Sequence, residues 1–135
     1  MKRLALCACL LLLPATTASA DAVSDSASLL SSLRAGGARV EAVEQVDQPF
    51  LSVGGTLIKL DGQDVQVFEY PSAAQLQAQA KSISPDGSTI GTSKIHWLAP
   101  PHFFRQGRVL VLYVGDDAMT ISALEAALGE QFAGQ

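Results

Sequence analysis

This chain is short of cysteine, histidine, aromatic residues and positive charge, and each shortage removes a class of function. Its two cysteines, Cys7 and Cys9, both fall within the first ten residues. Once those residues are cut away, nothing remains for a disulfide or a thiolate metal site, and the domain must hold together by its core. The two histidines, His96 and His102, confine any imidazole chemistry to one short stretch. No Gly-x-Gly-x-x-Gly, Gly-Lys-Ser/Thr or Gly-x-Ser-x-Gly motif occurs, which sets aside nucleotide binding by those loops and a nucleophile elbow. Nine Lys or Arg face thirteen Asp or Glu; without Lys2 and Arg3 the balance is seven to thirteen, a net charge of −6. The basic residues are scattered, so the clustered phosphate contacts of nucleic-acid binding are not expected.

What is present begins with a leader. Lys2 and Arg3, the apolar run Leu4–Leu13 and the small residues Ala18-Ser19-Ala20 have the three-part form of a secretory signal. At ~1.5 Å per residue, the ten residues before Pro14 cover about half of a ~30 Å hydrocarbon core. Residues 1–20 therefore read as a signal peptide cut after Ala20, with no stable membrane span left afterwards. Cys7 and Cys9 are a poor match to a lipid-accepting site, because few apolar residues precede them and Leu10–Leu13 follow directly. Residues 21–135 are expected to form a single domain, 21–25 serving as a loose tether, and a chain of this length can bury roughly 65% of its unfolded surface.

Hydrophobic spacing predicts the fold class α+β, a single antiparallel sheet of about five strands with three helices in the order α-β-β-β-α-β-β-α. The first helix is capped near Asp25 or Ser26, carries Leu29, Leu30 and Leu33, and stops at Gly36-Gly37. Strands follow at Arg39–Val46 and Phe50–Leu60, the second interrupted at Gly54-Gly55. Leu57–Tyr70 reads as a hairpin turning at Asp61-Gly62. Ser72 opens a helix with Leu76, Ala80 and Ile83 along one side, and Ser84-Pro85-Asp86-Gly87 is a turn, with Ser88–Thr92 continuing as loop. The last two strands are placed at Ser93–Leu98 and Arg108–Val114, a hairpin pair. Val109–Val114 is the longest apolar run of the mature chain and reads as a strand buried on both faces. Asp117 caps a third helix bearing Ile121, Leu124 and Leu128, and Gln131–Gln135 is a short tail.

Candidate chemistry gathers between Ser93 and Asp117. A site of His96, His102, Asp116 and Asp117 can be drawn if those last strands pair, but no zinc-like spacing appears, and Asp117 is explained as a helix cap. The stretch Leu98–Arg105 reads as a loop stiffened by Pro100 and Pro101. Adjacent Phe103 and Phe104 cannot both point to one face if extended. Either the rings close one end of the core, or Trp97, His96, His102, Phe103, Phe104 and Arg105 form an exposed binding patch.

Gln66–Tyr70, Ser84–Ser88 with Ile90-Gly91, Trp97 with Pro101–Phe103, and Val111–Asp117 together resemble a group of small exported bacterial proteins of unassigned function, over about Leu29 to Gly134. Members of that group are often lipoprotein-like. The resemblance implies a place outside the cytoplasmic membrane and supplies no catalytic residue. The expected function is a non-enzymatic extracytoplasmic binding or interaction module, secreted or periplasmic, whose partner is a protein or small ligand of the cell envelope. No cofactor or metal is expected. The alternative is a small hydrolase using a His/Asp pair, His96 or His102 with Asp116.

Overall fold

The computed structural model describes residues 22–135; the leader expected over residues 1–20 lies outside the described residues. Three helices and eight strands follow one another as α1 (Ser26–Ala35), β1 (Val40–Val46), β2 (Gly55–Leu60), β3 (Gln63–Glu69), α2 (Ala73–Lys81), β4 (Thr89–Ile90), β5 (Ser93–Lys94), β6 (Pro101–Gln106), β7 (Val109–Val114), α3 (Ala118–Leu128) and β8 (Ala133–Gly134). Six strands make one antiparallel sheet in the order β1-β2-β3-β7-β6-β8, while β4 and β5 form a separate small hairpin. The class is α+β, with one more strand in the main sheet than the spacing predicts.

The sheet is covered on both faces. Leu29 and Leu33 of α1 and Leu124 and Leu128 of α3 pack over Ile58, Val65, Val67, Phe104, Val109 and Val111. On the opposite face Leu76 of α2, Leu51, Ile83 and Ile90 cover Phe68, Phe103, Leu110 and Leu112. β7, paired between β3 and β6, is therefore buried from Val109 to Tyr113, as its unbroken apolar run predicts.

Local signals explain the joints. Asp25 Oδ1 accepts from the Ser28 amide at 2.8 Å while the Ser28 hydroxyl returns to the Asp25 amide at 3.0 Å, closing a capping box at the start of α1. Ser72 and Asp117 cap α2 and α3 in the same sense, accepting from Gln75 and Thr120 amides. Asp61 and Gly62 take φ of 47° and 84°, the paired left-handed geometry that matches strand twist in a two-residue hairpin.

Four expectations need correction. Ser93–Leu98 does not pair with β7: only Ser93 and Lys94 are in a strand, and their partners are Thr89 and Ile90. The true neighbour of β7 is the supposed loop, now β6, in register His102 to Tyr113 and Phe104 to Val111. The supposed loose tether is fastened, with Val23 only 4% exposed and the Arg108 amide donating to Ser24 C=O at 3.0 Å. The supposed tail supplies β8, which pairs Ala133 with Phe103 and Gly134 with His102.

Candidate functional site

β6 decides how the expected binding residues are distributed. Successive side chains of a strand point to opposite faces, so His102 and Phe104 go to the α1/α3 side and Phe103 and Arg105 to the α2 side. Phe103 and Phe104 are both 0% exposed, one in each core. Of the two readings of these rings, closure of the core holds for both Phe103 and Phe104, and neither joins an exposed patch. Two adjacent phenylalanines can both be interior because the sheet has two covered faces.

On the α1/α3 side His102 is 5% exposed and stacks on Tyr113 with ring centroids 5.9 Å apart. Its Nε2 lies 2.9 Å from Gly115 C=O and its Nδ1 2.6 Å from Gln131 Oε1. Both ring nitrogens are occupied in joining β6, the end of β7 and the C-terminal segment. Asp117 Oδ2 is also engaged, accepting from the Thr120 hydroxyl and amide at 2.6 and 2.9 Å. These bonds, the hydroxyl first, hold its carboxyl below the usual carboxylate range. His96 lies in the segment after the β4–β5 hairpin, exposed. Among the described residues, no group of three or more His, Asp or Glu is placed to hold a metal ion.

On the α2 side an aromatic row emerges that sequence spacing does not reveal. Phe50 meets Trp97 edge-on at 6.0 Å, Trp97 meets Phe103 at 5.9 Å, and Phe103 meets Phe132 at 6.2 Å. The Arg105 guanidinium sits 4.8 Å above the Phe132 ring, a cation–π contact at the end of the row. Phe50 and Phe132 come from segments some eighty residues apart, so no local motif could announce them.

The stretch Ile95–Pro100 is not in a strand, yet it is pinned at three points. The Ile95 amide donates to Ser88 C=O at 2.8 Å, Trp97 Nε1 to Gly87 C=O at 2.7 Å, and the Gly115 amide to Pro100 C=O at 2.9 Å. Between these anchors His96 and Leu98 face solvent, Leu98 fully exposed. The Gly87 carbonyl is itself set by a turn around Asp86. The Asp86 carboxylate accepts from the Ser88 amide at 3.0 Å and from the Ser88 and Ser84 hydroxyls, each at 2.8 Å. Those bonds lower its pKa to about 2.

Two features lie apart from this stretch. A shallow groove between α1 and α3 is walled by Ser28, Ser32, Ala35, Ala123 and Ala127 and carries no titratable side chain. Tyr70, 1% exposed, has its hydroxyl buried without a hydrogen-bond partner among the described residues. Burial pushes that phenol up to about 12, opposed in part by the nearby Ser52 hydroxyl, which falls outside bonding geometry.

Comparison of the chain with protein-family models, with curated proteins and with solved structures finds no match. Of the six expected binding residues, Trp97 and Phe103 meet in the aromatic row and Arg105 ends it. His96 stands exposed beside Trp97, while His102 and Phe104 belong to the opposite face.

Proposed function

We propose that this chain is a non-enzymatic binding or interaction module that works outside the cytoplasm, with Ile95–Pro100 as its contact segment. The observation that carries this reading is the triple pinning of that segment while His96 and Leu98 face solvent. A surface already held in one conformation loses less entropy when a partner docks, so exposed apolar and hydrogen-bonding groups on it contribute more of their contact energy. Half-buried Phe50 packs edge-on against Trp97 of the segment, and Arg105 offers a cation over Phe132 at the far end of the aromatic row. The leader Met1–Ala20 supports export, and a mature chain without cysteine suits either a secreted or a periplasmic life.

The hydrolase alternative is weaker on the same geometry. A general base needs a ring nitrogen within reach of its substrate, and both nitrogens of His102 are committed to Gly115 and Gln131. His96 is exposed on a segment that does not pair with the strand leading to Asp116.

The test is site-specific photocrosslinking of the exported protein in its native envelope. A crosslinker at position 98 should capture a partner, and one at position 77 on the outer side of α2 should not. His96→Ala with Leu98→Ser should lose binding of that partner while the melting temperature stays within a few degrees, since both side chains are exposed. A folded double variant that retains full binding would overturn the proposal.

A further inference from the structure

The sheet has two edges of very different character. β8 closes one with two residues, whereas β1 leaves seven residues at the other, with Glu41–Gln45 exposed and covered by neither helical layer. Among the described residues β1 has a strand neighbour on one side only; the Val40 C=O accepts from Arg34 Nη2 at 3.2 Å, and past it the outward backbone N–H and C=O groups of β1 are open to another strand.

The side chains say what kind of strand would fit. The register across the first three strands sets Glu41 opposite Lys59, and Lys59 opposite Asp64. Lys59 and Asp64 form an ion pair. Charges thus alternate along this row, acidic, basic, acidic, and the row ends at the edge on Glu41. The irregularity between Ala42 and Glu44 then matters. With one extra residue at Val43, Glu44 falls opposite Leu57 and so shares the face of Glu41 opposite Lys59. Without that bulge the two glutamates would point to opposite faces. The bulged edge therefore presents two carboxylates, side by side on the α2 face, next to unpaired backbone.

We infer that β1 accepts an extended basic peptide by strand addition, with Lys or Arg at alternate positions facing Glu41 and Glu44. Backbone bonds would supply affinity, and the two cross-strand ion pairs would set register and direction. A second copy is a poor occupant: antiparallel pairing of β1 with itself brings four glutamates together without a cation between them, on a mature chain already at −6. This surface is separate from Ile95–Pro100, and either can fail without the other.

Three nine-residue fluorescent peptides test it on the full chain. One alternates lysine with threonine, one alternates glutamate with threonine, and one keeps the lysines but replaces the central threonines by proline. The lysine–threonine peptide should bind about tenfold or more tighter than the glutamate one, and should slow amide exchange within Glu41–Gln45. The proline peptide carries the same charge but lacks ladder donors, so it should bind weakly. Glu41→Lys with Glu44→Lys should reverse the peptide preference. Equal binding of the proline peptide, or binding with no slowing in β1, would reduce the effect to bulk charge attraction and overturn the inference. A concentration-dependent dimer that protects β1 without any peptide would overturn it in favour of a second copy. Should the charge-reversed variant fail to fold, the proline comparison on the unaltered chain still decides.

Discussion

At the scale of single residues, Tyr70 is, among the described residues, the buried polar side chain left without a hydrogen-bond partner. Its hydroxyl lies in the α2-side core without a partner, and desolvation pushes its pKa from 10.0 up to about 12. A folded pKa above the unfolded one means that the stabilising contribution is complete below pH 10 and disappears as pH rises through 12. Alkaline unfolding is therefore expected to begin between those values. Tyr70→Phe should remove that part of the transition and leave neutral-pH stability unchanged or slightly raised, because no hydrogen bond is lost. Urea unfolding at pH 7 and at pH 11 measures both effects. A clear loss at pH 7 would mean the hydroxyl has a partner after all.

At the scale of elements, the Ser84–Ser88 turn anchors the Ile95–Pro100 segment through Trp97. Asp86 holds Ser84 and Ser88, the turn presents the Gly87 carbonyl, and that carbonyl receives Trp97 Nε1. The carboxyl titrates at about 2 in the folded chain against 3.8 ordinarily. A lowered pKa places its stabilising contribution above pH 3.8 and removes it as pH falls towards 2. Fluorescence of Trp97, the single tryptophan, should report a local acid transition in that window, ahead of or within global acid unfolding. Asp86→Asn should shift the fluorescence already at neutral pH and lack the transition. Identical pH profiles for the two proteins would show that the turn does not position Trp97.

At the scale of the whole molecule, two cores share one sheet. Phe104 belongs to the core under α1 and α3, and Phe103 to the core under α2. Each of Phe103→Ala and Phe104→Ala should cost about 3–5 kcal/mol, read as a lower urea midpoint. Either ring acting mainly as an exposed recognition group would instead give a nearly unchanged midpoint. Because global stabilities of small domains are about 5–15 kcal/mol, the double variant should be largely unfolded at 25 °C.

Much of this was readable along the chain. The helix caps at Asp25, Ser72 and Asp117, the Asp61-Gly62 turn and the buried Val109–Tyr113 strand all follow from chemistry acting within a few residues. A cap bonds its own helix, a positive-φ turn needs only its own two residues, and an unbroken apolar run must be hidden whatever hides it. Tertiary structure alone decided the rest. Pro101–Gln106 is a strand because β7 and β8 flank it, and its two phenylalanines are both interior because helices and loops cover both sides of the sheet. The aromatic row depends on Phe50 and Phe132 arriving from distant segments, and the shared face of Glu41 and Glu44 depends on a bulge defined only against β2. These are properties of pairing and packing between remote residues, which a local pattern along the chain does not contain.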